Sequence, residues 1–263
     1  MASDIHLKFT SPKPGNGHAG SPLVTSEVTP TLRVDARANP VHNRVLLSLP
    51  DNEYEMIMPY LEAIEMPLHK DLHDASKGFE YGFFPNLGLI SLVIAVSDGR
   101  SVEVGIVGKE GFVGTPLAAG FDHTPYGAMV QAAGHALRIK AEILEVILVE
   151  MPELKSRLTR YALVQSMQVA QLAACNRLHE IDQRLARWML MCQDRLGSDL
   201  LPMTHEFFAA MLGTGRPTVS VAAAVLQRAG IIQYARGTVK IVDREGLEAA
   251  ACECYRVIQR FDH

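Results

Sequence analysis

Residues 204–242, THEFFAAMLGTGRPTVSVAAAVLQRAGIIQYARGTVKIV, decide the fold. Thr204 can cap a short helix whose apolar residues recur at intervals of three and four, and Gly213 can end that helix. Pro217 suits the first turn of a second helix, because the missing N–H of proline has no intrahelical partner to lose there. The alternating apolar residues that follow predict a two-stranded hairpin. The stretch therefore predicts a helix, a tight turn, a second helix and a hairpin.

The second predicted helix has an apolar face and a polar, basic face. We expect its buried face to consist of Val219, Ala222, Ala223 and Leu226. We expect its solvent-facing side to carry Arg216, Thr218, Ser220, Gln227 and Arg228. This organisation is that of a winged helix-turn-helix, and the basic and hydroxyl residues at the start of the second helix favour DNA binding over a purely structural role.

The distribution of charge along the chain is uneven. The 263 residues are 48% hydrophobic and 21% charged, which predicts a globular protein of about two domains. Residues 1–152 contain 11 Lys and Arg against 18 Asp and Glu, whereas residues 153–263 contain 14 against 11. A basic second half fits a DNA-binding domain, because phosphate contacts need cations only where the duplex lies.

The four cysteines form neither a disulfide framework nor a C-x-x-C pair. They are Cys175, Cys192, Cys252 and Cys254. We expect Cys252 and Cys254 to lie in one helix with diverging side chains. We therefore predict no metal site and no cofactor, and the sequence leaves open whether any of the four cysteines has a redox role.

The apolar segments of the chain are short. The start of the sequence has no apolar segment of signal-peptide length, and the longest apolar run, residues 87–96, is too short to cross a bilayer. We therefore expect a cytoplasmic protein that does not associate with a membrane.

The remaining pattern predicts an α+β protein of four segments. Residues 1–40 lack a sustained apolar period and predict a mobile tail. Residues 41–150 contain many glycines between short β-favouring runs, which predicts a small antiparallel β-roll or jelly roll. Residues 151–178 predict a long helix with a break expected near residues 177–180, and residues 179–263 predict the winged helix-turn-helix domain.

The long predicted helix carries an apolar row that the β-roll alone cannot cover. Its members recur at intervals of three and four, and they are Leu163, Met167, Ala170, Ala174 and Leu178. A second apolar face on the same helix can pack on the roll, so the first row predicts a contact with the same helix of a second copy in a two-fold dimer. The alternative is a helix wholly buried within its own monomer.

A β-roll, a long helix and a winged helix-turn-helix in this order resemble the Crp/Fnr family of bacterial transcription regulators. The resemblance is carried by VEVGIVGKEGFVG at residues 102–114, EIDQRLARWML at residues 180–190 and THEFFAAMLGTGRPTVSVAAAVLQRAGII at residues 204–232. It covers residues 43–260. It implies a cyclic-nucleotide-binding-like sensor domain and a homodimer that places two recognition helices in successive major grooves. The implied partners are double-stranded DNA, a second copy of the chain, a small-molecule effector of unknown identity and, as a further candidate, RNA polymerase.

The resemblance also implies which residues contact DNA. The implied contacts are Thr204, Thr214, Gly215, Arg216, Thr218, Ser220, Arg236 and Lys240. Arg216 would bind a guanine or a phosphate, whereas Arg236 and Lys240 in the wing would bind phosphate only. Many family members have an acidic residue and a second arginine where this chain has Pro217 and Val221, so the operator sequence cannot be carried over.

The sensor domain departs from the nucleotide-binding members of the family. The positions that would line the effector pocket are Gly111, Phe112, Val113, Gly114 and Tyr126. Those members have a glutamate for the ribose hydroxyl where this chain has Phe112, and an Arg-Ser or Arg-Thr pair for the cyclic phosphate near the position of Tyr126. We therefore expect no response to cyclic AMP, and either another effector or none.

The sequence bears on three alternative functions: an iron–sulfur oxygen sensor, a cupin-like metal enzyme and a signalling adaptor. The oxygen-responsive branch of the family needs an amino-terminal cysteine cluster for its iron–sulfur centre, and no cysteine precedes Cys175. A cupin-like metal enzyme would need a convergent set of ligands inside the roll, which the sequence does not show. A signalling adaptor with a degenerate helix-turn-helix is the other alternative, because Val221 and Ala224 add no hydrogen-bonding group to the second helix. We expect a regulator with no enzymatic activity.

Overall fold

The folded chain consists of an antiparallel β-roll, a long helix and a winged helix-turn-helix domain, in that order. The structure is a computed structural model and describes residues 33–35 and 37–261. Residues 1–32 of the predicted tail lie outside the described residues. The predicted α+β architecture, with a β-roll followed by a long helix and a winged helix-turn-helix, is confirmed.

The last residues of the predicted tail are anchored to the roll, so the prediction of a mobile segment up to residue 40 is wrong there. Arg33 donates hydrogen bonds of 2.6 Å to the carbonyl oxygens of Leu46 and Leu49. Its guanidinium also pairs with Asp51 at 2.8 Å and lies 4.3 Å from the ring centre of Tyr54. The side chain of Arg33 therefore holds this segment against the first two helices.

The described residues form nine α-helices, besides two short 3-10 helices, Met58–Tyr60 and Thr115–Ala119. In chain order they are α1 (Arg44–Leu47), α2 (Asp51–Ile57), α3 (Ala141–Ile147), α4 (Pro152–Leu178), α5 (Ile181–Leu196), α6 (His205–Met211), α7 (Arg216–Arg228), α8 (Arg244–Ala250) and α9 (Cys254–Gln259). Within this described part, no single helix is both long and apolar enough to span a membrane. Only α6 and α7 taken together reach that length and composition, and a bend of 111° separates them.

The described residues also form eight strands. They are β1 (Glu62–Met66), β2 (Asp71–His73), β3 (Tyr81–Ala95), β4 (Ser101–Val107), β5 (Gly127–Lys140), β6 (Leu200–Leu201), β7 (Ile232–Ala235) and β8 (Thr238–Ile241). The first five form one antiparallel sheet in the order β1–β5–β3–β4, with β2 also paired to β5. The last three form the wing in the order β6–β8–β7.

Two strands of the roll are much longer than the predicted short runs. Strands β3 and β5 pair along most of their length and contain several register shifts. Gly88, with a φ of 94°, lies at one such shift, and a Cβ on Gly134 would collide with the carbonyl oxygen of Leu87. Gly88 and Gly134 therefore lie at bulges where the backbones of β3 and β5 come close together. These two glycines do not end the strands, contrary to what the sequence pattern indicated.

Three apolar cores organise these elements, and one of them, around Phe83, Ile90 and Val130, lies among the strands of the roll. Phe84 and Phe112 belong to a core inside the roll that α2, α3 and the start of α4 cover. Leu89 and Ile106 of the sheet belong to a second core, which they share with Trp188 and the other buried residues of the winged domain. The winged domain therefore packs on the sheet of its own chain.

The long predicted helix and the break after it are both confirmed. The Glu53 carboxylate caps α4 by accepting hydrogen bonds from the backbone N–H groups of Glu153 and Leu154 at 3.0 and 2.8 Å. After α4 ends, Glu180 and Gln183 form a capping box that starts α5. One continuous helix thus leads from the roll to the winged domain.

Candidate nucleic-acid interface

Helices α6 and α7 meet at the predicted tight turn. Thr204 caps α6 by accepting a hydrogen bond of 3.1 Å from the backbone N–H of Phe207. Gly213 in the turn has a φ of 60°, in the left-handed region that glycine adopts most readily. Pro217 lies in the first turn of α7. These local choices leave the amino-terminal turn of the recognition helix, α7, at the surface.

The two faces of α7 are those that the sequence predicts. Its buried residues are Val219, Ala222, Ala223 and Leu226. On the opposite side Arg216 and Thr218 are exposed, and 68% of the Arg216 side chain is accessible. Val221 on this side is 66% exposed and adds an apolar group of the kind that contacts thymine methyl groups. The exposed side thus offers a cation, a hydroxyl and an apolar contact to a duplex.

The guanidinium of Arg216 is only loosely held. Its Nη1 lies 3.8 Å from Oε2 of Glu206, and both side chains are largely exposed. An exposed pair at this distance contributes little, because water and salt screen it. The cation is therefore available to a nucleic acid.

The predicted contacts in the turn and the wing lie at the same end of the domain. Thr204, Gly215, Arg236 and Lys240 are exposed, and Thr214 is partly exposed. Arg236 and Gly237, with φ values of 47° and 81°, form the turn between β7 and β8. A Cβ on Gly237 would lie 3.4 Å from Cγ2 of Thr204, so the wing turn adjoins the start of α6.

His205 is a residue of this interface that the sequence analysis missed. Its Nδ1 lies 3.1 Å from the hydroxyl of Ser220, which is only half-exposed, and its ring stacks on Tyr234 at 4.1 Å. Burial, together with the nearby charge of Arg216, lowers the pKa of His205, so the ring is neutral at pH 7. Its Nε2 is buried and has no hydrogen-bond partner among the described residues. His205 of α6 thus contacts both α7 and the wing. The only feature of the sequence that could have indicated this role is its position directly after the helix cap Thr204.

The predicted effector positions lie in or beside the core of the roll. Phe112 is wholly buried, 4.5 Å from Phe84 between ring centres, and Val113 pairs through its backbone with a neighbouring strand. Gly111 packs against Tyr161 so closely that any side chain there would collide with its ring, and Gly114 has a φ of 109°. Burial raises the pKa of Tyr126, which is only partly exposed. An effector that reached Phe112 would have to displace its ring from the core.

A buried polar contact joins the winged domain to the roll. The indole N–H of Trp188 in α5 donates a hydrogen bond of 2.6 Å to Glu103 in β4. Near it, Arg195 of α5 pairs with Glu110 of the roll at 2.9 Å, and both side chains are largely buried. These contacts hold α5 of the winged domain against the roll, and the sequence analysis identified neither of them.

The Glu103 carboxyl is the centre of a hydrogen-bonded chain. The Ser91 hydroxyl lies 2.7 Å from Oε2 of Glu103 and 2.6 Å from Oε1 of Gln131. A hydroxyl has a single proton to donate, so both contacts are satisfied when Ser91 donates to Gln131 and accepts from a protonated Glu103. Burial raises the pKa of Glu103 to about 7, although the hydrogen bonds with Ser91 and Trp188 and the charges of Arg187 and Arg195 oppose this rise. The neutral carboxyl is therefore the form that fits the interface.

We expect the stability of this interface to depend on pH through Glu103. Because the pKa of Glu103 is raised on folding, the neutral carboxyl contributes fully to the free energy of unfolding below about pH 4.5. This contribution is lost as the pH rises through about 7. Wild type should lose up to about 3 kcal/mol of unfolding free energy relative to Glu103→Gln between these limits. Urea unfolding at a series of pH values, followed by the emission of Trp188, the only tryptophan, measures the difference. Parallel pH curves for the two proteins would contradict the expectation.

Three cysteines and a histidine converge where α4 ends, contrary to the prediction that Cys252 and Cys254 diverge. Helix α8 ends before Cys252, and Cys254 begins α9, so the two cysteines do not lie in one continuous helix. Both thiols face Cys175 and His179, and the four candidate ligand atoms all lie within 4.8 Å of one another. In the sequence, this cluster could have been suspected from two spacings: C-x-x-x-H, formed by Cys175 and His179, and C-x-C, formed by Cys252 and Cys254. The fourth cysteine, Cys192, is buried elsewhere and accepts a hydrogen bond from Gln131.

Comparison with known proteins identifies the domain that carries α6 and α7. Residues 183–250 match the family model of the Crp-like helix-turn-helix domain. No curated protein sequence matches the chain.

Several solved structures have the same fold along most of the chain. FixK2 from Bradyrhizobium japonicum is 14% identical, with 73% of this chain and 98% of that chain covered and a TM-score of 0.61. The CRP-family regulator TTHB099 from Thermus thermophilus is 20% identical, with 72% and 96% covered and a TM-score of 0.59. The c-di-GMP-responsive regulator CLP from Xanthomonas campestris is 15% identical, with 73% and 99% covered and a TM-score of 0.60. At these identities the likeness shows the fold.

Proposed function

We propose that this chain is a DNA-binding transcription regulator of the Crp/Fnr type with no enzymatic activity, and that it binds a two-fold symmetric site as a homodimer without cyclic AMP. The match of residues 183–250 to the Crp-like helix-turn-helix domain and the shared fold support this proposal. One observation carries the DNA-binding part of the proposal. The exposed side of α7 presents Arg216 and Thr218 at the surface, and the exposed cations of the wing lie at the same end of the domain. Such a helix enters the major groove, while a wing binds the adjoining backbone.

The homodimer is supported by the outer face of α4. All five residues of the predicted row are exposed: Leu163, Met167, Ala170, Ala174 and Leu178. Leu163 and Leu178 are 62% and 74% exposed, which is unusual for leucines in a helix that buries its opposite face on the roll. From the first to the last residue the row extends about 22 Å along the helix. A second copy of α4 would cover it with matching side chains.

We expect Leu163→Glu combined with Met167→Glu to convert the dimer to a monomer. Charges on this row would repel their counterparts across the two-fold axis and lose their hydration. Loss of the second recognition helix should weaken binding to a symmetric site by at least about 100-fold, because the linked second contact is lost. Sedimentation velocity measures the mass. The control is Val149→Glu, a change at a residue that is 77% exposed on another surface. A wild-type monomer that binds the site equally well would contradict the proposal.

The sensor domain supports an effector other than cyclic AMP. Phe112 occupies the core at the position where the resemblance calls for a ribose-binding glutamate, and Tyr126 lies near the expected phosphate-binding pair. A cyclic phosphate at these positions would meet no cation from either residue. Calorimetric titration with cyclic AMP, cyclic GMP and cyclic di-GMP tests this part, and tight binding of cyclic AMP would contradict it.

The remaining parts of the proposal concern location and partners. We place the protein in the cytoplasm, where the DNA of a bacterial cell is accessible. RNA polymerase is a further proposed partner, which activation of transcription would require. A bacterial two-hybrid assay against the polymerase subunits tests that partner directly.

The salt dependence of duplex binding tests the proposed function itself. Phosphate contacts release counterions, so the logarithm of the association constant should fall steeply and linearly with the logarithm of the salt concentration. Fluorescence anisotropy with a duplex from the region upstream of the protein's own gene measures the slope. A flat dependence, or no binding at low salt, would favour an adaptor role and contradict the proposal.

A further inference from the structure

We propose that Cys175, His179, Cys252 and Cys254 bind one zinc ion, which clamps the end of α4 to the carboxyl-terminal helices of the winged domain. Three thiolates and one imidazole are a ligand set that zinc prefers in closed, tetrahedral structural sites. With four protein ligands, no coordination position is left for a substrate. The site is therefore structural.

The distances fit such a site. The Cys175 and Cys252 sulfurs are 3.4 Å apart, and the Cys254 sulfur lies 3.6 Å from Nδ1 of His179. Zinc–sulfur bonds of about 2.3 Å and zinc–nitrogen bonds of about 2.0 Å in a tetrahedron separate the ligand atoms by roughly 3.5 to 3.8 Å. The observed separations therefore need only small adjustments around an ion. They are also far longer than the roughly 2.05 Å of a disulfide bond, and all three cysteines are free.

The groups around the cluster orient its ligands. Nε2 of His179 lies 3.2 Å from a carboxylate oxygen of Glu253, which leaves Nδ1 directed at the cysteines. Histidines that bind metals usually donate their other ring N–H to a carboxylate in this way. Gln171 Nε2 donates a hydrogen bond of 3.0 Å to the Cys254 sulfur. Neither partner is itself a ligand, so both support the site independently of the cluster.

The charge of the surroundings also fits. Arg187 is 2% exposed, and its Nε has no hydrogen-bond partner among the described residues. Its guanidinium lies within electrostatic range of both Cys175 and Cys252. Zinc with three thiolates and a neutral imidazole carries one net negative charge. The buried guanidinium of Arg187 would compensate that charge. Glu103 also interacts with Arg187, but its carboxyl carries no charge when it is protonated.

The position of the site gives it a mechanical role. His179 directly follows α4 and lies at the break before α5, whereas Cys252 and Cys254 flank the turn between α8 and α9. The ion would therefore link the proposed dimerisation helix to the far side of the DNA-binding domain. It would set the angle at which the two recognition helices emerge from a dimer.

Metal analysis of the full-length protein tests the proposal without reference to DNA. We expect one zinc per chain in protein purified under reducing conditions. Cys175→Ser, Cys252→Ser, Cys254→Ser and His179→Ala should each lose most of it, while Cys192→Ser, which changes a buried cysteine outside the cluster, should retain it. Because a ligand variant can fail to fold, cobalt added to metal-free wild type gives a second measurement. We expect the ligand-field and thiolate charge-transfer bands of tetrahedral cobalt.

Removal of the metal should also loosen the fold. We expect a chelator to lower the Tm of wild type by about 5 to 10 °C and to leave the Tm of Cys254→Ser unchanged. Three results would overturn the proposal. These are wild type that is metal-free and gives no tetrahedral cobalt spectrum, a Cys175–Cys252 disulfide in the purified protein, or equal zinc content in wild type and all four ligand variants.

Discussion

Arg216→Ala should weaken binding to the specific DNA site by about 1000-fold, while binding to random duplex changes little. Arg216 opens the recognition helix, and its side chain is 68% exposed with only a weak contact to Glu206. An arginine that donates two hydrogen bonds to a guanine contributes about 1 to 3 kcal/mol of discrimination, and a dimer loses two such contacts. The loss is therefore concentrated on the cognate sequence.

Arg236→Ala is the matched control for this prediction. Arg236 is an equally cationic, exposed residue at the tip of the wing. We expect it to contact the phosphate backbone and no base edge. Its removal should weaken binding to both duplexes by a similar factor and reduce the salt slope by about 1 for each subunit. Anisotropy titrations of each variant with the specific and the random duplex separate the two effects. If Arg216→Ala also weakens both duplexes equally, Arg216 binds phosphate and does not select the sequence.

Trp188→Ala should be the most destabilising single change, with a loss of about 4 kcal/mol of unfolding free energy, or roughly 10 °C in Tm. Trp188 is 2% exposed and packs edge-on against Phe208, 5.3 Å away between ring centres. Its removal leaves a cavity in the core that the roll and the winged domain share. It also takes the indole donor from the buried Glu103 carboxyl.

Trp188→Phe is the informative comparison. This variant keeps most of the ring packing and chiefly removes the N–H group. It should therefore lower the free energy of unfolding by a smaller amount, on the order of 1 to 2 kcal/mol. Urea unfolding monitored by circular dichroism gives both values, because neither variant retains tryptophan emission. Equal stability of Trp188→Ala and wild type would mean that the winged domain does not depend on this contact with the sheet.

The local features of the DNA-binding domain could be predicted from the sequence because each depends on residues close together in the chain. The cap at Thr204, the turn at Gly213 and the buried face of α7 follow from spacing and backbone preference, and all are confirmed. The same reasoning located the long helix and the break after it. In these segments local preference and tertiary packing agree.

The features that could not be predicted depend on contacts between distant segments. Glu103 and Trp188 are 85 positions apart, and no local pattern indicates that a strand carboxyl will be buried beneath an indole. The cysteine cluster forms because the helix is broken between Ala250 and Cys254, where a continuous helix was expected. The length of β3 and β5 was missed for a related reason, since only pairing with a partner strand distinguishes a glycine at a bulge from a glycine in a turn.

We propose that the chain recognises a two-fold symmetric DNA sequence as a dimer without cyclic AMP. The most direct test is to incubate the purified full-length protein with fragmented genomic DNA, with and without cyclic AMP, and to sequence the fragments that it retains. We predict one enriched motif with inverted half-sites about 34 Å apart, or one helical turn, recovered equally in both conditions. Absence of any enriched motif, a motif without two-fold symmetry, or enrichment only with cyclic AMP would contradict the account.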